Sequence, residues 1–137
     1  MKKVAVSGYF DPLHVGHLEL FDSAREVGDY LIVIVNTDEQ AIQKKGYVFM
    51  ACEDRMRIVS ALKLVDEVVK SVDTDRTICK TLAMVKPDIF ANGGDRHNEE
   101  IPEAGICRKY GIEIVDGLGD KVRSSSELVA RLKKHKS

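Results

Sequence analysis

Short apolar runs alternate with amphipathic stretches along this chain. Residues 3–8 (KVAVSG) are largely apolar up to Gly8, and residues 30–36 (YLIVIVN) are almost continuously apolar and β-branched. Such runs predict strands covered on both faces. Between them, from Gly16 to about Val27, Leu18, Leu20, Phe21 and Ala24 recur at helical spacing, and Gly28 offers a helix stop. Residues 37–52 have no clear period and are expected to form a loop or a broken helix. Residues 53–63 (EDRMRIVSALK) read as a helix with Met56, Ile58, Val59 and Leu62 turned inward. A strand at 65–72, a helix at 77–85 ended by Lys86-Pro87, a strand at 88–92, a helix at 99–110 closed by Gly111 and a strand at 112–117 complete the pattern. A last helix is expected at 124–134, with serines at its start and lysines at its end, as the helix dipole favours.

Strands thus alternate with helices five times. That order predicts an α/β fold: one Rossmann-like domain over residues 1–137, built on a five-stranded parallel sheet with helices on both faces. Ligands in such folds sit outside the carboxyl ends of the strands, where the strand order reverses. Site residues should therefore follow strands directly.

Composition narrows the picture. The 137 residues are 44% hydrophobic and 31% charged, which suits a soluble globular chain. A net charge of −1 argues against a nucleic-acid partner, which normally demands a basic excess. No stretch approaches the roughly 20 apolar residues of a membrane span, and Asp11 and His14 cut short any signal-like run at the N-terminus. Cys52, Cys79 and Cys107 are scattered and form no CxxC pair, so reduced thiols in a cytoplasmic protein are expected.

The sharpest chemical signal is the segment Gly8-Tyr9-Phe10-Asp11-Pro12-Leu13-His14-Val15-Gly16-His17, between the first strand and the first helix. His14 and His17 are three apart and share one face of the turn entering that helix. Gly16 leaves space for a phosphate to approach the backbone, and free N–H groups at a helix start favour an anion. Two imidazoles can also ligate zinc, but no Cys or further His with ligand-like spacing lies nearby. No GxGxxG or Walker A pattern occurs. Ser124, Ser125 and Ser126 exceed what a helix cap needs, and Arg123 adds a charge beside them.

The segment GYFDPLHVGH resembles the signature of the HxGH nucleotidyltransferase superfamily, which includes cytidylyltransferases and heptose-1-phosphate adenylyltransferases. The resemblance continues through Asn36-Thr37-Asp38, Lys44, Glu53-x-Arg55, Ala61-Leu62-Lys63-Leu64-Val65-Asp66, Lys86-Pro87-Asp88, Gly93-Gly94-Asp95 and the serine cluster. It implies in-line attack of a substrate phosphate on the α-phosphorus of a nucleoside triphosphate, with release of pyrophosphate. His14, His17 and Lys44 would be catalytic. Tyr9, Phe10, His14, Gly16, His17, Gly93, Gly94, Asp95, Arg123, Ser124, Ser125 and Ser126 would bind the nucleotide. Asp11, Lys44, Arg55 and Lys63 would serve the acceptor, and Asp11 could also orient a metal-bound water. Mg2+ would be carried mainly by the nucleotide phosphates, with no dedicated protein metal site.

The resemblance also bears on the substrates. Glycerol-3-phosphate cytidylyltransferases carry an arginine upstream of the serine cluster and another where Lys63 stands; both are absent here. Gly93-Gly94-Asp95-Arg96 and Asn98-Glu99-Glu100-Ile101 resemble the heptose-1-phosphate adenylyltransferases instead. The favoured partners are therefore ATP and a sugar 1-phosphate, with CTP and glycerol 3-phosphate or another polyol phosphate as the alternative. A homodimer is compatible with the chain. A non-catalytic nucleotide sensor and a zinc-dependent hydrolase are the readings from other classes.

Overall fold

A computed structural model describes residues 1–93 and 101–118 of the chain. Five strands, β1 (Lys3–Gly8), β2 (Tyr30–Val35), β3 (Glu67–Lys70), β4 (Ile89–Gly93) and β5 (Glu113–Leu118), form one sheet in the order β3-β2-β1-β4-β5. Every pairing is parallel, with Lys3 opposite Tyr30 at the start of the β1–β2 ladder and Ala5 opposite Phe90 across β1–β4. The expected fold is thus the observed one. The strand order reverses between β1 and β4.

Alternate residues of each central strand feed opposite faces. Val4, Val6, Leu31, Val33, Val35, Ile89 and Ala91 pack with Phe21 and Ala24 of α1 (Val15–Val27) and Val59 of α3 (Cys52–Ser60). Ala5, Ile32, Ile34 and Phe90 pack on the other face with Leu82 of α4 (Cys79–Val85) and Ala104 and Cys107 of α5 (Ala104–Tyr110). Continuous apolar runs are needed because both faces are covered.

Several details differ from the sequence reading. Residues 38–45 form a full helix, α2 (Asp38–Lys45). It lacks an apolar stripe but is fixed at both ends. Thr37 and Gln40 make a capping box, and Gly46 closes it at φ 86°. Gly28 ends α1 in extended backbone, not in the left-handed cap a helix-stop glycine usually supplies. Its role is close approach, since a Cβ there would lie 3.0 Å from the Lys2 carbonyl and the Val4 side chain. Ile58 and Leu18 point outward at 40% and 38% exposure, whereas Met56, Leu62 and Leu20 pack against the core. The most deeply buried large side chain of α3 is instead Arg55, 1% exposed. The helix read at 124–134 lies outside the described residues.

Candidate functional site

At the carboxyl end of β1 the chain must turn from strand to helix in a few residues. Gly8 permits this, because a Cβ there would meet Phe10 Cζ at 2.9 Å. Phe10 takes a left-handed φ of 52°, which swings its ring back under the turn, where it is buried. The ring meets Phe21 and His17 edge-on, with centroids 5.5 and 4.9 Å apart. His17 therefore rests on an aromatic support reaching up from the core.

The two imidazoles cap their own helix. His14 Nδ1 accepts the Gly16 N–H at 3.0 Å, and His17 Nδ1 accepts the His14 N–H at 3.0 Å. The rings stack with centroids 3.9 Å apart. A neutral imidazole carries one hydrogen, and a backbone N–H pointing at Nδ1 leaves that hydrogen to Nε2. Both rings are thereby set as Nε2–H donors. Burial, reinforced by the neighbouring His14, depresses the His17 pKa from 6.5 to about 4, so His17 is neutral at pH 7. This corrects the view of the turn as free backbone donors, because the Gly16 N–H is already used within the protein. The donors the turn can offer an anion include the ring Nε2–H groups.

Asp11 and Arg55 do something different. The Asp11 side chain is fully buried, and its carboxylate accepts from Phe49 N at 2.8 Å, Met50 N at 2.6 Å and Lys45 Nζ at 3.1 Å. Burial alone would raise its pKa, but those donors outweigh it and hold the carboxyl below its ordinary value. Arg55 donates to Met50 O at 2.8 Å, Tyr9 O at 2.7 Å, Asn36 O at 2.8 Å and Asp38 Oδ1 at 2.7 Å. Neither group is placed to meet an acceptor, and Asp11 is not placed to orient a metal-bound water. Both were expected at the substrate. Instead they clamp the loop after α2 and the carboxyl end of β2 to the turn after β1. Glu53 does not pair with Arg55; it accepts from Lys70 at the surface.

Lys63 is also displaced from the expected site. It is exposed in the segment between α3 and β3, beside Asp66, whose N–H bonds Leu31 O at the start of β2. That is the amino edge of the sheet, opposite the histidines. Lys44 does reach the site region, with Nζ 4.8 Å from the Tyr9 ring centroid. Lys45 is less exposed, bonded to Asp11 and 5.9 Å from the same ring. Its signal in the sequence was only adjacency to Lys44. The Tyr9 carbonyl is turned toward Arg55 and the Phe10 ring faces inward, so any nucleotide contact there must use other backbone atoms. Gly93 ends β4 on the same edge as the histidines and next to β1 in the sheet. Gly94, Asp95, Arg123, Ser124, Ser125 and Ser126 lie outside the described residues.

A separate crevice of about 290 Å³ opens at the carboxyl ends of β2 and β3, lined by Asp38, Glu39, Glu53 and Asp73 with Lys70. Its acidic lining does not suit a phosphate. The histidine turn lies instead at the strand-order reversal, after β1.

Several known proteins resemble this chain. FAD synthase of Ferroglobus placidus is 41% identical over 113 residues, covering 82% of this chain and 72% of that protein. Bifunctional protein HldE of Streptomyces coelicolor is 38% identical over 135 residues, covering 93% of this chain; the chain spans 28% of that longer protein. The crystal structure of a lipopolysaccharide core biosynthesis protein from Thermoplasma volcanium superposes with a TM-score of 0.71 at 29% identity, covering 85% of this chain and 95% of that one. The cytidylyltransferase-like family matches residues 5–118, a span that runs from β1 and its histidine turn to β5. With its strand order and its paired imidazoles in place, the chain belongs to the cytidylyltransferase-like family of nucleotidyltransferases.

Proposed function

We propose that the chain transfers an adenylyl group from ATP to the phosphate of a small phosphorylated acceptor. An acceptor phosphate oxygen attacks the α-phosphorus, the bond from that phosphorus to the bridging oxygen breaks, and pyrophosphate leaves with the electron pair. The acceptor oxygen is already anionic, so catalysis consists of bringing two anions together and stabilising charge at the α-phosphate. The observation that carries this reading is the pair of imidazoles whose Nδ1 atoms are both occupied by backbone N–H groups. Their Nε2–H groups are fixed donors that need no reorganisation as charge develops.

Lys44 and Lys45 supply positive charge beside that turn. Gly93 leads from β4 into the segment proposed to hold the base and ribose, and the serine cluster with Arg123 is proposed to hold the β- and γ-phosphates. The protein donor set fits Mg2+ only through the nucleotide. The Asp11 carboxylate is taken up by its own donors, and among the described residues no three His, Cys, Asp or Glu side chains gather as ligands. Mg2+ bound to the triphosphate would neutralise its charge. A cytoplasmic setting belongs to the same reading, on the free thiols of Cys52, Cys79 and Cys107.

ATP is favoured because FAD, the product named for the Ferroglobus relative, carries an adenylyl group joined to the phosphate of FMN. Two acceptors have support. FMN follows from that relative, and a sugar 1-phosphate from the likeness to HldE and to the Thermoplasma protein. Pyrophosphate release should be measured with ATP and CTP against FMN, a heptose 1-phosphate and glycerol 3-phosphate. ATP turnover exceeding CTP turnover with a phosphate acceptor is expected. A clear preference for CTP with glycerol 3-phosphate would overturn the nucleotide assignment.

A further inference from the structure

The loop after α2 presents two aromatic rings that charge stabilisation at the phosphate does not by itself require. Residues 47–50 (YVFM) alternate: Tyr47 and Phe49 are exposed while Val48 and Met50 turn partly inward. Phe49 is 69% exposed and Tyr47 59% exposed. Exposed aromatics are common at loops that move freely, but this backbone is held. Asp11 accepts the N–H groups of both Phe49 and Met50, and Arg55 donates to the Met50 carbonyl. Two buried charged groups are thus committed to fixing a segment whose rings remain uncovered. Folding gains little from such rings, whereas a rigid aromatic surface lowers the ordering cost of a ligand that stacks on it.

The charges around the rings indicate what that ligand carries. Lys45 Nζ lies 5.1 Å from the Tyr47 ring centroid and 5.9 Å from that of Tyr9, and Lys44 Nζ lies 4.8 Å from Tyr9. Asp11, which anchors the loop, is three residues before His14. A planar group stacked on Tyr47 and Phe49 therefore has the Lys45 ammonium, whose partner is Asp11, against one ring, and Lys44 on the neighbouring Tyr9. A sugar offers no π-face for such rings, and a second copy of this chain would not call for ammonium groups at the edge of an apolar contact.

We infer that Tyr47 and Phe49 form the acceptor subsite and select a phosphomonoester borne on a planar aromatic ring system, of the FMN class. Lys44 and Lys45 draw its phosphate toward His14 and His17. This assignment rests on the adenylyl-transfer reading for its place in the reaction, but the binding it requires is measurable without ATP.

The test compares the wild type with the double variant Tyr47→Ala/Phe49→Ala, using Ile58→Ala, an exposed apolar position on α3, as control. FMN affinity is read by fluorescence anisotropy in the absence of nucleotide, and KM for FMN and for ATP by pyrophosphate release. Thermal melts check folding, which exposed side chains should not govern. The double variant should bind FMN roughly tenfold or more weakly, the scale of losing base-stacking aromatics, with KM for ATP and the control unmoved. Unchanged FMN affinity in the double variant overturns the inference. So does a wild type that takes sugar 1-phosphates but not FMN, or a double variant whose oligomeric state shifts while FMN affinity holds. FMN binding that weakens in the double variant, in a protein that releases no pyrophosphate from ATP, supports the subsite and refutes the adenylyl-transfer reading alone.

Discussion

The imidazole pair and the Asp11–Arg55 clamp lie within a few residues of each other and use polar side chains in opposite ways. His14 and His17 spend Nδ1 on the backbone and keep Nε2–H. Asp11 accepts from three protein donors, and Arg55 makes four hydrogen bonds to three carbonyls and one carboxylate. The difference teaches how the proposed nucleotide-binding turn is built. A fully committed buried network fixes the backbone, and half-committed rings on top of it face the ligand.

The sharpest way to break this comparison is Arg55→Leu. It strands the carbonyls of Tyr9, Asn36 and Met50, while the half-exposed Asp38 carboxylate keeps Cys52 N and water, so unfolding free energy should fall by about 3 kcal/mol. Urea denaturation reads this directly. A variant that folds with full stability yet loses activity would return Arg55 to the substrate. His17→Ala should show the reverse signature. Turnover should drop roughly a hundredfold, the effect of losing one transition-state donor. Stability should drop by only about 1 kcal/mol, for the lost acceptor of the His14 N–H. Steady-state pyrophosphate release and a urea midpoint on the same sample separate the two; full kcat would end the proposed role.

Asp11→Asn replaces an acceptor-only carboxylate with an amide that can satisfy fewer of the Phe49, Met50 and Lys45 donors. A loss of about 1–3 kcal/mol is expected. If the clamp is positional, KM for the acceptor should rise more than KM for ATP, because the loop that slackens carries Tyr47 and Phe49.

The smallest expected effect is in pH. The folded pKa of His17 is about 4 against 6.5 for an unperturbed imidazole. Between those values the unfolded chain takes up a proton that the folded chain does not. Stability is therefore unaffected by His17 above pH 6.5, declines as pH falls through that window, and loses no more below about 4. The His17→Ala variant should show a shallower decline of urea midpoint between pH 7 and pH 5 than the wild type. Equal slopes would mean that the ring is not held neutral by the fold.

Much of this was legible from residue order. The strand runs had to be apolar on both sides because a parallel sheet is covered on both faces, and that fixed the fold class. HxGH after a strand marked the turn that joins β1 to α1 without knowledge of its geometry. For residues 37–52 a loop and a broken helix stayed equally open because the apolar residues of α2 form no stripe, although Thr37 and Gln40 spell a capping box three residues apart. The charged candidates divided for a physical reason. A sequence states that Asp11, Arg55 and Lys63 carry charge, but not how many of their hydrogen-bonding positions the protein itself consumes.

What the sequence by itself determined, then, is the alternation of elements, the place of the imidazole pair after β1, and the family those motifs announce. Tertiary structure alone decided which charges the protein pairs within itself. Arg55 and Asp11 turn inward because unpaired carbonyls and N–H groups of three separate segments converge beside them, and a buried donor or acceptor must be satisfied. Lys63 falls at the amino edge of the sheet because it lies in the connection that enters β3 at Glu67, and parallel strands bring every crossover back to that edge. The tautomer of the histidines follows from two backbone N–H groups whose direction only the folded turn sets.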